Sequence, residues 1–332
     1  MRHLVIKSIL QKSIQELTPF TNTPELDARV LLEAAIDKKT DYIFSHPEAP
    51  LTNADYAQFR RYIRRRKKGE PIAYILGHKE FYGLDFIVNK NVLIPRPETE
   101  LLTEEALIFI KDSLKPKAKG RRQNNGGTKP PAFGLRPLAI LDIGTGSGNI
   151  IIALASQQAG KSAGRQVKFH ATDTSKKALY VAKKNAKRIL FEHKREPGVN
   201  SSRLLASNNI IRFYHSDLFS NPRLPQKFGI VIANLPYVPQ KAEGRRPKAE
   251  KNKGINFEPK EAIFADDKGT ATVKRFLDQA HSRINADGLI LVELDPRNAL
   301  DLLKYARNVF KDSKIELKKD LAGRNRYLKI LT

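Results

Sequence analysis

The chain has no cysteine, so neither a disulfide nor a cysteine-held metal can organise it. No metal site is expected. No apolar run approaches the length of a membrane span, and no membrane association is expected. The first residues, Met1-Arg2-His3-Leu4-Val5-Ile6-Lys7, contain neither the apolar core nor the small-residue cleavage site of a signal peptide, which makes a cytoplasmic, reducing location the default expectation. Acids are scarce relative to bases: 35 Asp and Glu against 60 Lys and Arg, a formal net charge of +25. That excess favours an anionic partner, most simply RNA or a ribonucleoprotein. A generally basic composition that serves solubility explains the same number. What is present is 332 residues with 40% hydrophobic content, enough for two domains and a sizeable core. A monomer is expected.

Hydrophobic periodicity divides the chain. Over 1–77, Leu4, Ile9, Leu10, Ile14 and Leu17, then Leu26, Val30, Leu31 and Ala34, recur at helical spacing, which predicts a small helical domain. Thr23 before Pro24 reads as a helix start, and Thr40 and Asn53 read as caps of two further helices. The last helix runs through Tyr56, Phe59 and Ile63 into Arg64-Arg65-Arg66-Lys67-Lys68-Gly69. That is a normal helix ending and also a basic patch. At 78–98 the period changes: Glu80 to Val88 reads as two strands about a turn at Gly83, and the prolines on both sides of Arg96 hold it extended. A helix follows from about Thr99 to Ser113. The remainder, 99–332, alternates strand and helix, which implies a mostly parallel sheet covered on both faces. Basic, apolar-poor stretches at 114–136, 160–166, 192–209 and 241–254 read as solvated excursions from that scaffold, with dedicated RNA-binding arms as the alternative.

In an open α/β sheet the ligand lies outside the carboxyl ends of the strands. Leu138 to Ile143 runs into Gly144-Thr145-Gly146-Ser147-Gly148, whose glycines let the backbone approach a ligand. Val167 to Thr172 ends at Asp173, placed to accept hydrogen bonds from two ribose hydroxyls. After Ile210 to Tyr214 come Asp217 and Leu218, which suit the border of an adenine ring. Gly229 to Ile232 ends at Ala233-Asn234-Leu235-Pro236-Tyr237. There the Asn amide both donates and accepts, Pro lacks an N–H, and Tyr offers a flat face. The set suits a planar amide or amino nitrogen held edge-on. The bland readings are a proline turn at 234–237, a plain glycine turn and a helix cap at Asp173. A nucleotide dehydrogenase uses a related glycine turn, but leaves Asn-Leu-Pro-Tyr without a task. A methyltransferase using S-adenosylmethionine employs all four strand ends.

The same residues stand within a longer pattern. It includes Leu26-Asp27-Ala28-Arg29-Val30-Leu31-Leu32, Gly69-Glu70-Pro71-Ile72-Ala73-Tyr74-Ile75-Leu76-Gly77 and Glu80-Phe81-Tyr82-Gly83-Leu84. It continues with Val92-Leu93-Ile94-Pro95-Arg96-Pro97-Glu98-Thr99-Glu100, the most specific piece, and Phe257-Glu258-Pro259-Lys260-Glu261-Ala262-Ile263-Phe264. Over nearly its whole length the chain resembles the protein-(glutamine-N5) methyltransferases, the HemK/PrmC family. The resemblance implies an α/β fold: a Rossmann-like class I methyltransferase domain with a small N-terminal helical domain joined by a β-hairpin. It implies that Gly144, Thr145, Gly146, Ser147, Gly148, Asp173, Asp217, Leu218 and Asn234 line S-adenosylmethionine. It places Asn234, Leu235, Pro236 and Tyr237, with Pro95, Arg96, Pro97 and Glu98, on the substrate side. The implied substrate is the Gln of a Gly-Gly-Gln loop in a class I peptide chain release factor, held in part by the N-terminal domain. Four departures stand out. Leu235 replaces the family's usual Pro, Leu218 occupies an often aromatic position, Glu293-Leu294-Asp295 replaces Glu-x-Gly, and the basic inserts are large.

A carboxamide nitrogen is a poor nucleophile because its lone pair is delocalised into the carbonyl. The Asn234 side-chain oxygen and the Leu235 main-chain carbonyl are expected to accept hydrogen bonds from the substrate NH2, more favourably as positive charge develops on nitrogen. Orientation supplies most of the rest, with no general base before transfer. The rival is an rRNA adenine-N6 methyltransferase, for which Asn-Leu-Pro-Tyr is also a typical spelling and +25 is apt. Those enzymes carry their extra domain at the C-terminus, and the Pro95-to-Glu100 stretch is foreign to them. A non-catalytic RNA-binding protein on the same fold is the third reading.

Overall fold

The computed structural model describes residues 5–114, 137–158, 166–192, 211–239, 253–265 and 269–332. The basic stretch 115–136 and most of 160–166, 192–209 and 241–254 lie outside the described residues.

The N-terminal bundle comprises α1 (Ile6–Leu17), α2 (Pro24–Ile36), α3 (Thr40–Ser45), α4 (Asn53–Lys67) and α5 (Ile72–Leu76). Leu17, Leu31, Leu32, Phe59 and Ile63 are buried together at its centre, as the helical spacing requires. Thr23 takes the cap position of α2, but its hydroxyl donates to Asp27 instead of capping. Two expected caps move back one residue. Lys39 precedes α3, leaving Thr40 inside the helix with its hydroxyl on Glu33. Thr52, not Asn53, caps α4, because Thr52 has the extended backbone of a cap and its hydroxyl accepts from the Asp55 N–H at 3.1 Å.

The basic run that closes α4 is largely engaged inside the bundle. Arg66 reaches Asp27 at 2.6 Å, Thr21 at 2.9 Å and the Glu70 carbonyl at 3.2 Å. Arg65 grips Glu70 at 2.6 Å and the carbonyls of Tyr74 and Ile75 at 3.0 Å each. Arg64 and Lys68 are the exposed members of the run.

The hairpin β1 (His78–Phe81) and β2 (Leu84–Ile87) turns at Tyr82 and Gly83, whose φ values of 53° and 72° are those of a type I′ turn. Arg96 is extended, and a 3-10 turn over Pro97–Thr99 feeds α6 (Glu100–Leu114).

Then follow β3 (Leu138–Ile143), α7 (Asn149–Gln158), β4 (Val167–Asp173), α8 (Lys176–Lys187), β5 (Arg212–His215) and β6 (Phe228–Ala233). After them come β7 (Val238–Pro239), α9 (Lys260–Ile263), β8 (Phe264–Ala265), α10 (Ala271–Arg283), β9 (Ile284–Glu293), α11 (Ala299–Val309), β10 (Lys314–Lys319) and β11 (Asn325–Leu331). Seven strands form one sheet in the order β10-β11-β9-β6-β3-β4-β5. The run from β9 to β5 is parallel, and β11 and β10 add antiparallel strands at one edge. Every residue of β6 is buried, as expected of a strand covered on both faces. One apolar layer packs α6 and α7 on the sheet through Leu102, Ala106, Ile151 and Leu154. The other packs α10 and α11 through Val273, Phe276, Leu302 and Ala306.

Chain order reverses at β3: β4 and β5 lie to one side, β6 and β9 to the other. The crevice for a ligand therefore opens at the carboxyl ends of β3 and β6. Asn185, fully buried on α8, joins the hairpin to that crevice. It accepts from the Ile87 N–H at 2.8 Å and donates to the carbonyls of Ile87 at 3.0 Å and Ser147 at 2.9 Å. Among the described residues no helix is long and apolar enough to cross a membrane.

Candidate active site

The glycine turn is hydrogen-bonded to the end of β4 and packs against the segment after β6. Gly144 and Thr145 both donate their N–H to the Thr172 carbonyl at 2.9 Å. Gly144 has φ +72°, and a Cβ there would sit 3.3 Å from Leu235 Cδ2 and 3.6 Å from the Asn234 carbonyl oxygen. The backbone conformation thus demands glycine, and the space beside it is tight. The Thr145 and Ser147 side chains are buried, so the turn presents main chain to the crevice. Gly146 donates its N–H to Asp173 Oδ2 at 2.9 Å, and Ser175 donates its N–H to Oδ1 at 2.8 Å. Asp173 is therefore a strut of the turn. Each oxygen retains a lone pair for a further donor. Burial raises its pKa, and the two N–H groups oppose that rise.

Beneath the turn lies Asp142, which the sequence reading did not single out; its signal was an acid inside a buried apolar strand. It accepts from Thr145 Oγ1 at 2.6 Å. Burial pushes its pKa up to about 7, the Thr145 hydrogen bond works against that, and nearby Asp173 adds to it. An unfolded Asp titrates at about 3.9. The folded chain therefore binds the extra proton between these values, and stability falls as pH rises from about 4 to about 7. Asp142→Asn keeps the acceptor and removes the titration. Its stability relative to wild type should rise across that window and then level, measured by chemical denaturation at several pH values. A difference that is flat with pH would show that Asp142 does not titrate there.

The residues after β5 are placed differently from one another. Asp217 is exposed and paired with Arg275 at 2.5 Å. Leu218 has φ +49° and is 4% exposed, packed into the apolar layer with Ile143 and Ala233.

Asn234 begins a chain of hydrogen bonds. Its Nδ2 donates to Thr99 Oγ1 at 3.0 Å, Thr99 Oγ1 donates to Glu293 Oε2 at 2.7 Å, and the Tyr237 hydroxyl donates to Glu293 Oε1 at 3.1 Å. Glu293 is 1% exposed. Burial raises its pKa, against the hydrogen bonds from Thr99 and Tyr237 and the charge of Arg326. Burial, then Glu293, pushes the Tyr237 phenol far up, so it stays protonated. Leu235 is buried against Gly144, and Pro236 is half-buried. Thr99 and Glu293 also escaped the sequence reading as site residues; their signals were the places of Thr99 in the Val92-to-Glu100 stretch and of Glu293 in the Glu-x-Gly position of the family pattern.

The Pro95-to-Glu98 stretch divides. Arg96 is held by buried Glu258 at 2.6 Å, and Glu258 also accepts from the Ile94 N–H at 3.1 Å. Glu98 faces Arg326 at 3.8 Å. Pro95, Arg96 and Pro97 line a groove of about 520 Å³ together with Pro71, Ile72 and His78. Among the described residues no cluster of His, Asp or Glu is placed to hold a metal ion.

A parallel sheet that reverses at its glycine turn, an acid closing the next strand and an Asn after the returning strand define a class I methyltransferase. The hMettl16 catalytic domain, solved in complex with the MAT2A 3′UTR hairpin 6, shares this fold: TM-score 0.50, 17% identity, 80% of each chain covered. Residues 8–77 match the PrmC N-terminal domain. The chain is 31% identical to the release factor glutamine methyltransferase of Coxiella burnetii over 98% of both chains. It is 30% identical to that of Buchnera aphidicola, covering 97% of this chain and 96% of that one. It is 34% identical to a bifunctional methyltransferase of Rickettsia bellii over 84% of its own length, but spans only 46% of that protein. The chain belongs to the release factor glutamine methyltransferase family.

Proposed function

We propose that the chain transfers a methyl group from S-adenosylmethionine to the side-chain nitrogen of the Gln in the Gly-Gly-Gln motif of a class I peptide chain release factor. The observation that carries this is the held amide of Asn234 beside the glycine turn, with its nitrogen tied back to Thr99. The residues present suit the cofactor: main chain without a Cβ at Gly144, and free lone pairs on Asp173 for hydroxyl donors. When bound, S-adenosylmethionine supplies an electrophilic methyl group on a sulfonium.

The protein's own groups do the positioning. Asn234 Oδ1 and the Leu235 carbonyl accept hydrogen bonds from the substrate NH2, and these strengthen as the nitrogen becomes positive. Held by both N–H groups, the amide is restrained in the orientation the reaction needs. Leu in place of Pro at 235 keeps this carbonyl. The Tyr237 ring, tethered through its hydroxyl to Glu293, forms a wall for the amide plane. No base is needed beforehand, because the N–H becomes acidic as the new bond forms and its proton leaves to water. On this reading residues 1–77 and the hairpin 78–98 help hold the release factor along the groove at Pro71, Ile72 and Pro95 to Pro97. The net charge of +25 supports contact with the ribosome or its RNA as well.

An adenine amine would use the same acceptors, but the end-to-end relatives are named for glutamine. The test is labelled S-adenosylmethionine with a release factor and its Gln→Ala loop variant. Label on the wild-type factor alone is expected; label on rRNA instead would overturn the reading.

A further inference from the structure

We propose that Thr99 and Glu293 are a positioning pair that fixes which end of the Asn234 amide faces the substrate, making the site selective for a nitrogen that donates hydrogen bonds. This rests on the glutamine reading above and specifies how that site rejects its near-isosteres.

The two ends of an Asn amide are alike in shape and opposite in chemistry. Rotated by half a turn, Asn234 would present NH2 to the crevice. It would then welcome a substrate carbonyl oxygen or a carboxylate. The hydrogen bonds behind it decide the orientation. An ionised Glu293 can only accept. It takes the Thr99 hydroxyl proton on Oε2 at 2.7 Å and the Tyr237 hydroxyl on Oε1 at 3.1 Å. With its proton so directed, Thr99 Oγ1 has only lone pairs left for Asn234. The NH2 end of Asn234 satisfies them at 3.0 Å; the carbonyl end would place two acceptors face to face. An unsatisfied, part-buried pair of this kind disfavours the flipped form by about ten- to a hundredfold. Asn234 Oδ1 therefore faces the substrate beside the Leu235 carbonyl. Two acceptors side by side suit an NH2 group. A glutamate in the same loop offers them no N–H and would be refused.

The lock depends on the charge of Glu293. The groups facing it are Thr99 and Glu98 from the turn before α6, Tyr237 after β6, and Arg326 from β11, itself bonded to Asp320 at 2.8 Å. Burial and Glu98 favour the neutral carboxyl, while Thr99, Tyr237 and Arg326 favour the charge. Once protonated, Glu293 can donate to Thr99, and the direction of the chain is no longer dictated. The lock is lost as pH falls through a value above the ordinary carboxylate range.

The experiment compares wild type, Thr99→Val, Thr99→Ser and Glu293→Gln, each first checked for S-adenosylmethionine affinity by calorimetry and for thermal melting. Thr99→Val should lower kcat on the release factor by about twofold or more, the loss when neither end of the Asn234 amide is preferred, with cofactor affinity unchanged. Thr99→Ser should restore most of it. Wild type should show an acidic limb in kcat that Glu293→Gln lacks. Wild-type kcat in Thr99→Val, or an unmoved acidic limb in Glu293→Gln, would overturn the proposal. Should Thr99→Val not fold, the limb in Glu293→Gln decides. The wild-type arm separates the two claims. If a release factor takes no label, the glutamine reading fails, and the variants are then compared on the amine that does take label, since it needs the same two acceptors.

Discussion

Replacing Asn234 by Ala is expected to lower methyl transfer by about a thousandfold, the upper end for loss of one preorganised polar group at the reacting atom. Affinity for S-adenosylmethionine should change by no more than a few-fold. The asymmetry follows from the hydrogen bonds. The glycine turn is built by Gly144 and Thr145 on the Thr172 carbonyl and by Gly146 on Asp173, none of which uses the Asn234 side chain. The acceptor proposed for the substrate N–H, by contrast, is that side chain. Without it the Leu235 carbonyl remains as a single acceptor, and a single hydrogen bond leaves the amide free to rotate about it. Asn234→Asp should fare little better, because a carboxylate oxygen would face the Thr99 lone pairs and Glu293 beyond them. Single-turnover methylation with a release factor, alongside calorimetric cofactor binding, checks both. Full activity in Asn234→Ala would remove Asn234 from the reaction.

The scaffold was readable because its strands are buried on both faces and each is closed by a polar or glycine residue. The runs at β3, β4 and β6 carry their own boundaries, and their alternation with helices dictates which ends converge. Asn234, Gly144 and Asp173 were legible for that reason: the first two sit one step past a strand and the third closes one. What was not legible is the wiring between side chains. Thr99 reaches Asn234 across 135 positions and Glu293 across 194. No local period encodes such a contact. Asn185 is the same case, an ordinary helix residue by its neighbours, yet it ties Ile87 to Ser147. The left-handed backbone of Leu218 and its packing in the apolar layer had no local signal in the sequence. The shift of the α4 cap from Asn53 to Thr52 shows the limit of propensity, because either residue can cap and only the backbone of Thr52 is extended.

Charge was the feature with two readings, and the bundle separates them residue by residue. Arg66→Ala is expected to destabilise the N-terminal bundle by about 3–5 kcal/mol, the usual loss when one partner of a buried pair is removed. The side chains of Arg66 and Asp27 are 12% and 6% exposed, so Asp27 would be left buried without its partner at 2.6 Å. Thr21 and the Glu70 carbonyl would lose the same guanidinium. Two positions earlier, Arg64 is exposed, and Arg64→Ala should stay within about 0.5 kcal/mol of wild type. Hydrogen exchange on the full chain, read at the amides of α1, α2 and α4, measures both. A patch kept only to meet an anion would make the two substitutions equal in stability, and protection factors that match would establish that. Unequal loss instead means that the sequence Arg-Arg-Arg is first a way of anchoring α4 to α2 and to the segment after it. That segment continues through Pro71 and Ile72 into the wall of the groove beside Arg96. Arg66 thereby supports the surface proposed to meet the release factor without touching it, and Arg66→Ala should raise KM for that substrate more than it lowers kcat.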